Sequence, residues 1–358
     1  MSHSCMQTLT AALLAALAPC PGPSSAAGQN ADPVQDTAYY GTYENDMHFD
    51  TDRYYTNGIQ FSIKRGRDTR GPLAKAWTGR VCVWLGCEDA QLLTSHSHFG
   101  QLMYTPGDIT QRAAQPLDRP WAGLLYVEQA YSLLSPDKRT LTTLSLEAGV
   151  TGPVSLAEQT QKLVHRIRDR PPPEGWDNQI GGSLALMAMA ERRTAQTALS
   201  FELGNDLQFN TATYWRLAVG NIMTYAAGGV AIVVGKDLPL VSPPPPGIGT
   251  KLARERFSLT SCMAPWLQCT GFASVEARLM AYNVFLDGRP GRDDPEVSRR
   301  NLVADLVAGV RVDFPHTRSV HHGPWFAQFK ITRRTREFRS SIPVASHKIG
   351  ALTIGTEF

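Results

Sequence analysis

The stretch Tyr43–Ser62, YENDMHFDTDRYYTNGIQFS, decides the fold. An Asn45-Asp46 pair precedes the cluster Asp52-Arg53-Tyr54-Tyr55-Thr56-Asn57-Gly58, which runs into an alternating segment. Thr56, Gly58, Gln60, Ser62 and Lys64 form one row, and Ile59, Phe61 and Ile63 the other. A period of two is a strand with one polar and one apolar face. In a soluble sheet the polar row faces water. In an outer-membrane barrel lipid takes the apolar row and the lumen takes the polar one. The carboxylate-rich cluster then sits beside a polar cavity.

The same pattern recurs. Leu144, Leu146 and Ala148 oppose Thr143, Ser145 and Glu147. Leu302, Leu306 and Val310 oppose Val303, Asp305, Val307 and Arg311. Trp325, Phe329 and Ile331 oppose Phe326, Gln328, Lys330 and Thr332, and Leu352, Ile354 and the terminal Phe358 share a row. Full charges such as Arg311 and Lys330 in the polar row suit a wet lumen better than a packed soluble core. A β-sandwich with one exposed face per sheet shows similar rows. The terminal strand ending in Phe358 favours the barrel. Tyr54, Tyr55, Tyr104, Trp121, Tyr126, Tyr131, Tyr225 and Tyr282 mark segment ends, as interfacial girdles or as core aromatics.

The chain has 358 residues, 42% hydrophobic and 19% charged, with a net charge of +3. That length allows one large barrel, and the charge gives no reason to expect nucleic acid. No apolar run reaches 18 residues, so spanning by helices is not expected. Leu9–Pro19 is a short apolar run followed by Ser25-Ala26-Ala27. It reads as an export signal over residues 1–27, cleaved before Gly28, with the barrel domain over 28–358. The segment before it carries no Lys or Arg, and Pro19 stands where a lipoprotein signal at Cys20 needs a small residue. In an exported protein Cys82 with Cys87, and Cys262 with Cys269, read as two local loop disulfides. A four-cysteine zinc site is the rival, and neither spacing suits it.

One segment breaks the alternation. Ser155–Asp169, SLAEQTQKLVHRIRD, reads as a helix opened by a Ser155/Glu158 capping box and stopped by Pro171-Pro172-Pro173. Glu158, Gln161 and His165 fall on one face. A short helix with a polar face in an all-β pattern suggests a loop helix laid over a barrel mouth. Arg289–Arg300 reads as a charged, mobile loop.

The blocks Asn45-Asp46, Asp52–Gly58, Tyr104-Thr105-Pro106, Asp118–Gly123, Gly152-Pro153, Glu158–Gln161 with His165, Gly175–Gln179 and Arg334–Phe338 occur in this order. Together they resemble the lipid A 3′-O-deacylase (LpxR) family. The resemblance implies an antiparallel, membrane-spanning barrel of about twelve strands, with the site beside a loop helix near the extracellular rim. It implies a monomer in the outer membrane of a Gram-negative bacterium. It also implies calcium-dependent hydrolysis of the 3′-linked acyl ester of lipid A, a component of lipopolysaccharide. His165 matches the general base, and Asn45, Asp46, Thr56 and Gln161 match other active-site positions. The family places a lysine shortly after the Tyr-Ser/Thr-Pro motif; here Gly107–Arg112 reads GDITQR, without one, and Gln111 or Arg112 stands nearest.

The residues are chemically coherent with this. Ester hydrolysis needs a base for water, and a neutral imidazole serves near pH 7. Asp46 and Asn45 offer the oxygen donors a hard cation such as Ca²⁺ takes. No Gly-x-Ser-x-Gly elbow is present. In a regular strand Asn45 and Asp46 point to opposite faces, so they share a site only at a bulge or strand end. Asp118, Arg119 and Trp121 read as structural, fixing a strand start through an ion pair and an interfacial ring, and Gly175-Trp176-Asp177 reads as a turn. The competing functions are a non-enzymatic channel or structural barrel and an outer-membrane phospholipase.

Overall fold

A computed structural model of the chain describes residues 37–46, 53–66, 68–202, 207–236, 238–241, 267–314 and 324–357. The export signal, Cys262 and Phe358 lie outside the described residues. Twelve long strands follow one another. They are β1 Thr37–Asn45, β2 Tyr54–Arg65, β3 Gln91–Thr105, β4 Ala122–Leu134, β5 Thr140–Thr151 and β6 Leu184–Ala195. Then come β7 Gln208–Gly220, β8 Met223–Gly235, β9 Gln268–Asn283, β10 Leu302–Phe314, β11 Trp325–Arg334 and β12 His347–Glu357. Each pairs antiparallel with its neighbour in sequence, and β12 returns to β1 with Glu357 opposite Ala38. The sheet therefore closes into a barrel without a free edge. No described helix is long and apolar enough to cross a membrane.

The alternation sorts as expected for a barrel in lipid. On β10, Leu302, Leu306 and Val310 are exposed outward, while Val303, Asp305, Val307 and Arg311 are buried inward. On β11, Trp325, Phe329 and Ile331 are exposed, and Phe326, Gln328 and Lys330 are buried. The inward charges pair with one another. Lys330 Nζ lies 3.0 Å from Glu44, which also accepts from the Tyr55 hydroxyl. A longer series alternates sign: Arg193, Glu191, Arg216, Glu276, Arg278, Asp305, Arg334, Glu337, Arg119. Pairing is what makes buried charges tolerable. Tyr54, Tyr55, Tyr104, Trp121, Tyr126 and Tyr225 are all buried, so they are core aromatics and form no girdle.

Helix α1, Pro72–Leu85, joins β2 to β3 and has no counterpart in the sequence reading. Trp77 and Leu85 pack on Leu133 and Leu144, which turns Leu144 from a lipid-facing position into a covered one. Gly86 ends the helix in the left-handed region, and Cys82 is disulfide-bonded to Cys87. Cys269 is disulfide-bonded as well.

The opposite rim, where β1 ends at Asn45, carries the loops 106–121, 152–183, 284–301 and 335–346. Helix α2, Ala157–Ile167, stands there. The capping box is not formed. Leu156 takes the left-handed conformation at the N-cap, and Ser155 Oγ donates to Gly152 O at 2.6 Å. Glu158 pairs with Lys162 at 2.6 Å, so the buried face is Ala157, Gln161 and His165. The 289–300 loop is tied down by Arg289 to Asp294 at 2.7 Å and Arg299 to Asp287 at 2.8 Å.

Candidate active site

Asn45 is the last residue of β1 and Asp46 the first beyond it, so strict alternation stops between them. Both are buried. Asp46 Oδ2 accepts from the Arg53 backbone N–H at 2.8 Å, which ties the end of β1 to the start of β2. Asn45 shares its row with Tyr43 and the exposed Tyr39, whereas Tyr40, Thr42 and Glu44 face the lumen. Across the ladder Asn45 stands opposite Asn57, which shares its row with the exposed Phe61. The Tyr43 hydroxyl hydrogen-bonds Asn45 and Asn57 and lies in the field of Arg168 and Asp46. A cluster of polar groups thus occupies the outer wall at the rim.

Thr56 joins this face through a bulge. The register between β2 and β3 shifts between Tyr55 and Asn57, which leaves Thr56 as the extra residue. Its hydroxyl lies 2.6 Å from that of Thr105, whose row includes the exposed Phe99. The strand period alone places Thr56 in the luminal row with Gln60 and Ser62. The bulge re-aims it outward.

Helix α2 packs on the outside of β3 and β4. Two features hold it there. Gln101 of β3 donates to Ser155 O at 2.6 Å. Gly123 of β4 removes the side chain that would otherwise meet Ser155 and Ala157. Ala157 then packs with Met103, Trp121 and Trp176. Gln161 Oε1 accepts from Trp176 Nε1 at 2.7 Å, and its buried Nε2 has no hydrogen-bond partner among the described residues. His165 Nδ1 lies 2.7 Å from Pro171 O. A carbonyl only accepts, so Nδ1 carries a proton, and the lone pair of the neutral form of this ring lies on Nε2. Arg168 follows the helix and acts on Tyr43 of β1. Asn45, Asp46, Thr56, Gln161 and His165 therefore share one rim, with Asn45, Thr56 and the helix on the outer side of β1–β4.

Arg112 and Gln111 are exposed, and Arg112 lies 3.7 Å from Asp177. Arg168 contributes a positive charge to the field at Tyr43. Arg119 is structural: buried, stacked on Tyr104 at 4.3 Å and paired with Glu337 at 2.7 Å. Burial alone would raise the Glu337 carboxyl, but the Arg119 and Arg334 guanidiniums outweigh it and hold it at about 2. Trp121 is buried under Trp176, with ring centroids 5.0 Å apart, and is not an interfacial ring.

Tyr43, Asn57, Thr105, Gly123 and Arg168 were given no site role in the sequence, and Trp176 was read only as part of a turn, where a 3-10 turn forms. One signal was available. Asn57 interrupts a lipid-facing row that continues through Ile59 and Phe61, and a polar group there is costly unless something covers it.

For calcium, the chemistry of the donor set is suitable: a carboxylate from Asp46 and amide oxygens from Asn45 and Asn57 are hard ligands. Among the described residues no group of three or more His, Cys, Asp or Glu side chains gathers.

The model of the family described as outer membrane protein LpxR matches residues 9–358. No curated protein matches the sequence. LpxR from Salmonella typhimurium superposes with a TM-score of 0.67 at 18% identity, over 90% of this chain and 100% of that one, a likeness of fold. The β domain of the Bordetella autotransporter BrkA gives 0.39 at 10% identity, over 90% of this chain and 97% of that one. The translocator domain of NalP from Neisseria meningitidis gives 0.38 at 9%, over 100% and 96%. With the family pattern running through nearly its whole length, this chain belongs to the LpxR family of outer membrane proteins.

Proposed function

We propose that the protein is a carboxylic ester hydrolase that removes the 3′-linked acyl group of lipid A, with His165 as general base. The observation that carries this reading is the 2.7 Å contact of His165 Nδ1 with Pro171 O on a helix held against the outer barrel wall. That contact sets the tautomer, and in a neutral ring Nε2 is then the basic nitrogen, which takes a proton from water as the water oxygen bonds to the ester carbonyl carbon. The tetrahedral intermediate then collapses, the bond to the sugar 3′ oxygen breaks, and Nε2 returns the proton to that oxygen. Gln161 and Thr56 orient the base and the ester. The Gln161 Nε2 donor is suited to an oxyanion, and the indole of Trp176 holds its other end. Asp46 and Asn45 would hold calcium, which when bound supplies positive charge to polarise the ester carbonyl. A site on the outside of the wall suits a substrate that lies in the membrane leaflet.

The paired charges that fill the lumen favour this reading over a channel. The test is mass spectrometry of lipid A from cells expressing the wild type or His165→Ala. Wild type should remove the 3′ acyl group. The variant should leave it in place, although its barrel still shows the heat-dependent shift in gel mobility of a folded outer-membrane protein. A folded His165→Ala with full activity refutes the role of the base. Unchanged lipid A with released phospholipid fatty acids makes the protein a phospholipase.

A further inference from the structure

Helix α1 lies on the outside of the barrel at the rim opposite α2, and it carries apolar residues on two sides. One side packs on the wall. Thr78 and Cys82 are buried, and Trp77 and Leu85 cover Leu133, Leu144 and Ala190. Those three are outward members of β4, β5 and β6, so the helix rests on the lipid-facing surface. Arg192, outward on β6, donates to the Leu85 carbonyl and holds the last turn of the helix there. The Cys82–Cys87 disulfide closes the same turn.

The other side faces away from the protein. Leu73, Ala76, Arg80, Val83 and Trp84 follow one another at helical spacing along it. All are exposed, Trp84 by 90%, Leu73 by 88% and Val83 by 64%. Large apolar groups left bare together mark an interaction surface. The place of the helix on the barrel says what covers them. Toward the middle of the wall, the next outward residue after Leu144 on β5 is Leu146, and beyond Ala190 on β6 stand Leu186 and Leu184; these leucines are exposed. The bare side of α1 therefore continues the lipid-facing surface at its edge. Exposed rings mark the same end of the barrel: Tyr39 of β1 and Trp325 of β11, both opposite Thr356 of β12. Such rings favour the headgroup level of a membrane. Arg80 can lay its stem along the apolar side and bring its guanidinium to a phosphate.

We propose that α1 is an interfacial helix seated in the membrane leaflet at this rim, with Leu73, Val83 and Trp84 among phospholipid acyl chains and Arg80 on phospholipid phosphate. This surface is at the opposite rim from His165, and the inference does not depend on the esterase reading.

Tryptophan fluorescence of the purified barrel in phosphatidylcholine nanodiscs tests this, because the wild-type spectrum less that of Trp84→Phe isolates Trp84. Two quenchers are compared: phosphatidylcholine brominated near the headgroup end of its acyl chains, and acrylamide in the water. The Trp84 signal should lose most of its intensity to the brominated lipid and little to acrylamide. The double variant Leu73→Glu, Val83→Glu should lift the helix out of lipid and reverse that preference, while the heat-dependent gel shift and lipid A deacylation stay unchanged. Quenching of wild-type Trp84 by acrylamide with sparing by the brominated lipid overturns the proposal. Sparing by both quenchers overturns it too, since a second copy or a protein partner then covers the ring. So does a double variant that keeps the wild-type preference, because the apolar side then does not seat the helix.

Discussion

Gly123 is where the loop helix meets the wall, and adding one methyl group there tests whether that clamp sets the geometry of the site. A Cβ on Gly123 would stand 2.1 Å from Ser155 Oγ and 2.5 Å from Ala157 Cβ. Neither neighbour can turn aside. Ala157 has no rotamer to change, and Ser155 Oγ is held by its bond to Gly152 O. Ordinary contact is therefore restored only if the start of α2 lifts by about 1 Å, because packed interiors have no spare volume. Gln161 and His165 lie one and two turns further along the same helix. A misplacement of about 1 Å in a reacting geometry costs about 100-fold in rate. The overpacking itself costs about 1–3 kcal/mol of stability. Gly123→Ala should therefore remove the 3′ acyl group about 100-fold more slowly in a time course read by lipid A mass spectrometry. It should keep the heat-dependent gel shift. Gly41→Ala is the control, since its Cβ would meet only the Phe61 ring at 3.9 Å. Wild-type rates from a folded Gly123→Ala would refute the clamp.

Three further outcomes are expected. Trp176→Phe keeps a ring over Trp121 but removes the indole donor to Gln161, so kcat should fall about tenfold with KM little changed; an unchanged kcat would show that the bond is idle. Excess chelator should stop turnover and added calcium should restore it, so activity that persists in chelator removes the metal role given to Asp46 and Asn45. Glu337 contributes stability above its unfolded pKa of about 4.3, and that stability is lost as pH falls through its folded value of about 2. The loss, on the order of 3 kcal/mol for a buried carboxylate, should appear as falling thermal stability between those values, and Glu337→Gln should flatten that part of the profile.

Much of the fold was legible because lipid imposes strict alternation. The rows of Leu302, Leu306 and Val310 against Asp305 and Arg311 sort outward and inward as the period of two requires. What the period could not give was its own interruptions. Thr56 changes face at a bulge, and Asn45 and Asp46 share a rim because the strand ends between them. Helix α1 was missed because its apolar residues, Leu73, Val83 and Trp84 among them, do not gather on one stripe; those three are exposed. The capping box failed because Ser155 turned back to Gly152. The candidate site residues were readable through their resemblance to family motifs. Trp176 stood in one of those motifs, but its role was not readable, because it depends on a loop folding against a helix fifteen positions earlier.

The alternating series from Arg193 to Arg119 has an evolutionary consequence. Every interior rung answers to two neighbours of opposite sign, so a lone replacement strands an odd charge where water cannot relieve it, at a cost of about 3–5 kcal/mol. Substitution along the series is therefore locked unless two rungs change together. Among homologues these positions should drift as coordinated pairs, while the lipid-facing leucines and valines on the same strands exchange freely.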